Sequence, residues 1–187
     1  IVYCNRIREA YGKEVPVVIG GIEASLRRLG HYDYWDDRVR NSILIDSQAD
    51  LLIYGMGERA LLEVAAELHQ GVPVGNVQDV QGTCYRVPDF DYVYDYLKLP
   101  SFEEVRSDKE AFAEAFRQSY LEQDALRGRR LAQQNGEYCV VANPPARPLS
   151  EEEMDEIYDL PYERTWHPIY DAAGGVPAIR EVRSLPH

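Results

Sequence analysis

Apolar residues recur at helical spacing at Val2, Tyr3, Ile7 and Ala10, and Gly12 follows as a C-terminal stop, so the pattern opens with a helix. Val15 to Ile19 is then a continuous apolar run of strand length, closed by Gly20-Gly21 and followed by the short helical segment IEASLRRLG, which Gly30 ends. The stretch HYDYWDDRVRNSILIDSQAD reads as an aromatic and acidic loop leading into a short apolar segment. A second strand, Leu51 to Tyr54, and a helix from Glu58 to Gln70 come next. Continuous apolar strands joined by helical crossovers predict an α/β fold with a parallel sheet covered on both faces.

After Gly71 the pattern changes. Up to residue 100 it offers only short extended pieces, of which TCYRV is the best strand, and the tyrosine- and aspartate-rich DFDYVYDYLKLP. Ser-x-x-Glu recurs at Ser101 with Glu104, Ser107 with Glu110 and Ser150 with Glu153; in each the serine can accept from a free amide while the glutamate reaches back, which marks a helix start. Asp108 to about Gln134 reads as helical with a break near Gly128, EYCVVA as a strand, and NPPARPL as an extended segment unable to continue a ladder. Residues 161–187 are rich in proline and glycine until PAIREVRSL. The expected organisation is a parallel α/β portion over residues 1–80 and a helical and extended connecting region over residues 81–187.

Composition narrows the classes of function. A chain of 187 residues with 45% hydrophobic content and 14 tyrosines can bury a core, and no stretch approaches the roughly 20 apolar residues of a membrane span. A formal net charge of −12 repels phosphate backbones, so neither nucleic acid nor a membrane is an expected partner. Cys4, Cys84 and Cys139 are widely separated and odd in number, which builds neither a disulfide framework nor a C-x-x-C knuckle and points to buried thiols in a reducing cytoplasm. Ile1 stands inside a helical pattern without an initiator Met, so the chain is expected to be cut from something larger.

Chemistry concentrates at IYGMGERA, where strand, Gly55-x-Gly57-x-x-Ala60 and helix reproduce the outline of a dinucleotide-binding turn. Asp79 stands in range for the ribose acid, but PVGNVQDV makes a poor strand, and Glu58 puts a carboxylate where pyrophosphate charge would sit. Two other readings remain open. Glycines after a strand simply permit a sharp turn, with Glu58 a favourable first-turn acid. Alternatively, because ligands and partner domains sit outside the carboxyl ends of strands in open α/β sheets, Gly20 and Gly21 would share a rim with Gly55 and Gly57, its small residues leaving room for a flat ligand or another domain.

Around that rim, Glu23 could orient a ligand hydroxyl or complement the helix dipole. His31, with Asp33, Asp36 and Asp37 among Tyr32, Tyr34 and Trp35, could line a cofactor or cap the core, although no helical pair of metal ligands is present. RTWHPIY, with Trp166 and His167, reads as an extended strap over the core, and RGRR at residues 127–130 as a solvated helix end facing Glu122 and Asp124. The candidate cofactor-contacting set is therefore Gly20, Gly21, Glu23, His31, Gly55, Gly57 and Glu58, with no catalytic and no metal-ligating residue.

Long stretches also carry a resemblance. VPVVIGGIEASLRRLGHYDYWDDRVRNSILIDSQADLLIYGMGERALLEVA, LPSFEEVRSDKEAFAEAF, NPPARPLSEEEMDEIYDLPYERTWHPIY and GGVPAIREV closely resemble, in the same order, the YgiQ family of radical SAM proteins, whose substrate is unassigned. The resemblance implies a Rossmann-like domain similar to cobalamin-binding domains, followed by a radical SAM barrel whose C-x-x-x-C-x-x-C loop holds a [4Fe–4S] cluster that cleaves S-adenosylmethionine reductively. That loop is absent from this chain. The fragment is thus expected to be catalytically inert, with its own barrel as partner and self-association covering any exposed sheet edge. The D-x-H-x-x-G loop that supplies cobalamin's lower axial histidine is absent too, and the surroundings of His31 do not match it. The rival expectation is a non-catalytic module that binds a cofactor or partner, and a nicotinamide-dependent oxidoreductase is a third.

Overall fold

The computed structural model describes residues 1–182. They form two compact units, Ile1–Pro148 and the segment beginning at Leu149. The first opens with helix α1 (Val2–Tyr11), strand β1 (Val18–Ile19), helix α2 (Ile22–Leu26), a hairpin of β2 (His31–Asp33) and β3 (Arg38–Arg40), and helix α3 (Ile43–Ser47). It continues through β4 (Leu51–Ile53), α4 (Glu58–His69), β5 (Thr83–Val87), β6 (Tyr96–Lys98), α5 (Phe102–Ser107), α6 (Lys109–Leu121), β7 (Arg130–Asn135) and β8 (Tyr138–Ala142). The second unit holds α7 (Glu151–Tyr158), a 3-10 turn over Pro168–Ala173 and α8 (Pro177–Val182).

The α/β class is as the pattern predicts and is compatible with a partial Rossmann-like fold. Six strands lie in the order β1-β4-β5-β8-β7-β6. The β1–β4 and β6–β7 pairs are parallel, whereas β4–β5, β5–β8 and β8–β7 are antiparallel. Four of the strands come from beyond residue 80, so the sheet does not stop at the division that the apolar runs suggest. The compact unit reaches Pro148 instead.

Alternation along the strands sorts the core into two layers. Leu52, Cys84, Val140 and Ala142 face Cys4 of α1, Ala24 of α2 and Leu44 of α3. Leu51, Ile53, Tyr85, Cys139 and Val141 face Ala60 and Val64 of α4. Phe102, Val105 and Ala115 join α5 to α6 in a smaller cluster. Asp50 fastens the first helix, its Oδ2 accepting from the Val17 amide at 2.7 Å and from the Arg8 guanidinium at 2.5 Å.

Three expectations change. HYDYWDDRVR is a hairpin rather than a loop, with His31 opposite Arg40 and Asp33 opposite Arg38. Residues 130–134 are strand, not helix. Pairing with β8 on one side and β6 on the other outweighs the helical propensity of RLAQQ, and the Asp124 carboxylate turns the chain by accepting from the Leu126 and Arg127 amides. Ser101 and Ser150 close the expected capping boxes, but α6 starts on Asp108, whose carboxylate accepts from the Glu110 amide at 2.8 Å. Ser107 instead donates back to the Glu103 carbonyl. The end of PAIREVRSL lies outside the described residues.

In the second unit, Trp166 and His167 serve a local turn. The Trp166 indole donates to Asp171 at 2.8 Å and His167 Nδ1 accepts from the Ile169 amide.

Asn143 ties the sheet to the loop before β5. It is 3% exposed; its amide donates to the Gln78 and Val80 carbonyls and to Thr83 Oγ1, while its oxygen accepts from Arg130 Nε. Asn143→Ala is expected to lower stability by about 3 kcal/mol, because several buried groups lose their partner together. Urea unfolding checks this, with the exposed Asn76→Ala staying within about 0.5 kcal/mol of the parent chain.

Candidate functional site

β1 and β4 run parallel with Val18 opposite Leu51, so their carboxyl ends emerge on one edge of the sheet and both turn directly into helices. Each turn needs glycine for its own reason. Gly21 sits at φ 92 and ψ −179, a region closed to side chains, and Gly55 at φ 70. Gly57 lies at an ordinary φ of −92, but a Cβ there would stand 2.8 Å from Ile53 Cγ2. A Cβ on Gly20 would press on the Ile53 carbonyl oxygen at 3.3 Å.

The glycine turns are joined through Ser25. Its hydroxyl donates to the Gly21 carbonyl at 2.9 Å and accepts from the Gly55 amide at 3.1 Å. The sequence reading missed this residue. Its signal was available, since Ser25 stands four positions after Gly21 in a helix, the spacing at which a hydroxyl bonds back to a carbonyl.

A shallow cleft of about 360 Å³ lies over this edge, lined by Val18, Ile19, Gly20, Gly21, Ile53 and Gly55 and closed by Gly57, Glu58 and Leu61. Five of the predicted residues therefore meet at one place: Gly20, Gly21, Gly55, Gly57 and Glu58. The other two do not join them. Glu23 is mostly exposed and accepts from Arg27, which is also held by Asp46 at 2.6 Å. His31 lines a different cavity, between α2, β2 and α6. Burial, followed by the Arg27 guanidinium, holds its imidazole below the usual value, while Asp33 opposes them.

The cleft offers backbone and aliphatic contacts with one carboxylate. Its surroundings are more apolar still, because Ile22, Met56, Leu61 and Leu62 are all more than half exposed. A dinucleotide fares worse in it. The strand after α4 is antiparallel to β4, so the second parallel strand of a nucleotide-binding unit is missing, and Asp79 is ion-paired with Arg130 in another hollow. The acids of the hairpin are also engaged, Asp33 by Arg40 at 3.1 Å and Asp36 by Arg38 and Arg40. In RGRR, Arg129 pairs with Glu122 and Arg130 opens a strand rather than ending a helix.

The thiols do not fit an iron–sulfur cluster. Cys84 packs in the layer under α1 and α3, whereas Cys139 packs in the layer under α4, so the sheet separates them. Cys4 is buried as well. Among the described residues no group of three or more His, Cys, Asp or Glu could hold a metal ion. Among the described residues the cleft supplies no imidazole for a corrin's lower axial position. No helix among the described residues is long and apolar enough to cross a membrane.

Fold and cleft define the class: an α/β domain compatible with a partial Rossmann-like fold, whose candidate site is a glycine-shaped rim at the carboxyl ends of parallel strands. The chain belongs to the Radical SAM N-terminal family, which matches residues 1–184. It is 56% identical over 183 residues to a UPF0313 protein of Clostridium botulinum (strain ATCC 19397 / Type A), covering 98% of this chain and 28% of that protein. It is 57% identical over 185 residues to a UPF0313 protein of Clostridium perfringens (strain ATCC 13124 / DSM 756 / JCM 1290 / NCIMB 6125 / NCTC 8237 / Type A), with the same coverage of 98% and 28%. The chain thus spans a little over a quarter, 28%, of the length of these relatives. No solved structure matches it.

Removing the Ser25 hydroxyl (Ser25→Ala) should cost about 1 kcal/mol, and Gly21→Ala about 1–3 kcal/mol although a Cβ there meets open space, since the penalty is conformational. Thermal unfolding of the two variants checks the order. A Gly21→Ala chain as stable as the parent would contradict the turn geometry.

Burial pushes the Cys84 and Cys139 thiols from 9.0 up to about 12. Above the unfolded value the unfolded chain releases protons that the folded chain keeps, so stability should fall as pH rises from 9 toward 12. At about pH 8 a thiol reagent is expected to label these cysteines only after urea is added. Rapid labelling of the native chain would show them exposed.

Proposed function

We propose that the chain is the N-terminal, non-catalytic portion of a YgiQ-type radical SAM enzyme, and that its glycine rim is the seat on which the remainder of that protein rests. The observation that carries this reading is the family match over residues 1–184 of a chain whose Cys139 is held in a different layer of the core from Cys4 and Cys84. The [4Fe–4S] cluster and S-adenosylmethionine then belong to the remainder of the protein, which would supply the three thiolates and the open iron site that reductive cleavage requires. This portion contributes a surface. Its turns are fixed by backbone geometry and the Ser25 bridge, and the apolar shoulders Ile22, Met56 and Leu61 suit a dry contact with another domain.

A cytoplasmic location accords with three unpaired thiols, which a reducing compartment preserves. The net charge of −12 disfavours nucleic acid and anionic membranes as partners. Cobalamin is the weaker assignment for the rim, because a corrin there would take its lower ligand from elsewhere.

Anaerobic reconstitution of the full-length protein with iron and sulfide tests the reading. The reconstituted protein should hold about four irons per chain and, given S-adenosylmethionine and dithionite, release 5′-deoxyadenosine and methionine, whereas residues 1–187 alone should load no iron. A full-length protein that loads no cluster and leaves S-adenosylmethionine intact would overturn the enzyme assignment and favour a cofactor- or partner-binding module.

A further inference from the structure

The cavity holding His31 has features that the rim lacks. It encloses about 230 Å³ between the end of α2, the start of β2 and the inner face of α6. That is space for about eight waters at ~30 Å³ each, or one small organic molecule. Leu29, Leu99, Phe112 and Ala115 give it apolar walls.

Arg28, His31 and Gln133 add polar groups to the lining. Arg28 is half-buried, donates to the Ser25 carbonyl at 2.6 Å and lies over the Tyr54 ring at 4.7 Å, which fixes its guanidinium. It makes no ion pair among the described residues, while neighbouring Arg27 is bound by two carboxylates. Among the described residues no aspartate or glutamate lines the cavity, in a chain that carries 32 of them.

Gln133 is 1% exposed and anchored at both ends of its amide. Its oxygen accepts from the Gly30 amide at 2.8 Å and its nitrogen donates to the Pro100 carbonyl at 3.0 Å. Among the described residues, the Gln133 nitrogen donates to that one carbonyl, which leaves its second N–H for a ligand. A preformed, largely apolar hollow with an unpaired cation and a rigid buried donor is the arrangement of a small-molecule site.

We propose that this cavity binds a small organic anion with a flat apolar body. Its carboxylate or comparable acid would meet Arg28, beside His31, and its ring would lie between Phe112 and Leu29. Burial strengthens the charge pairing there relative to a surface site.

Benzoate and its uncharged relative benzyl alcohol test the proposal by heteronuclear NMR titration of the whole chain. Benzoate should give saturable shifts at Gly30, His31 and Ala115 and bind at least about tenfold more tightly than benzyl alcohol, a difference of about 1.4 kcal/mol. Arg28→Gln should erase that preference and Arg28→Lys should retain part of it. Absence of saturable shifts, equal affinity for the two probes, or an undiminished preference in a folded Arg28→Gln chain would overturn the proposal. Should Arg28→Gln fail to fold, the comparison of probes on the parent chain decides.

Discussion

The short strand β4 is the constraint on which the rest depends. Leu51 and Leu52 are fully buried, one in each layer of the core, so the strand cannot slip by one residue without exchanging its faces. On one side it pairs in parallel with β1, and on the other antiparallel with β5. The parallel side brings two strand ends and two glycine turns to a common edge. The antiparallel side starts the sheet that carries β8, β7 and β6. Rim and scaffold therefore meet in three residues.

From that strand the chemistry divides into two neighbourhoods. The rim is built from backbone, where Gly21, Gly55 and Gly57 hold conformations or contacts that side chains would spoil, and Ser25 locks them together. It contains little that could perform a reaction. The second neighbourhood, around Arg28, His31 and Gln133, contains charge, an imidazole and a rigid amide, but no nucleophile paired with a base. Cys139 lies across the sheet from Cys4 and Cys84.

Local rules read well at several element ends. Gly12 as the stop of α1, the serine boxes at Ser101 and Ser150, and the apolar β4 followed by α4 were all legible in the chain. The convergence of Gly20, Gly21, Gly55, Gly57 and Glu58 followed from the topology of parallel strands. The Asp108 cap of α6 and the Ser25 bond to Gly21 were missed despite local causes, whereas the other failures depended on distant partners. RLAQQN becomes a strand only because β8 and β6 flank it, and the hairpin at His31 is held by Asp–Arg pairs that resemble a solvated loop in one dimension. His31 left the rim for the same reason, since the pairing of β2 with β3 sets its place and the one-dimensional pattern gave no hint of that hairpin.

The central claim is that the glycine rim is a seat for the rest of a longer protein. Amide hydrogen exchange at Gly20, Gly21 and Gly55 to Gly57, compared between residues 1–187 and the full-length protein, measures it most directly. The account predicts exchange slowed by about tenfold or more at these amides in the full-length protein, with the amides of β5 and β8 unchanged. Equal exchange at the rim in both forms would contradict it.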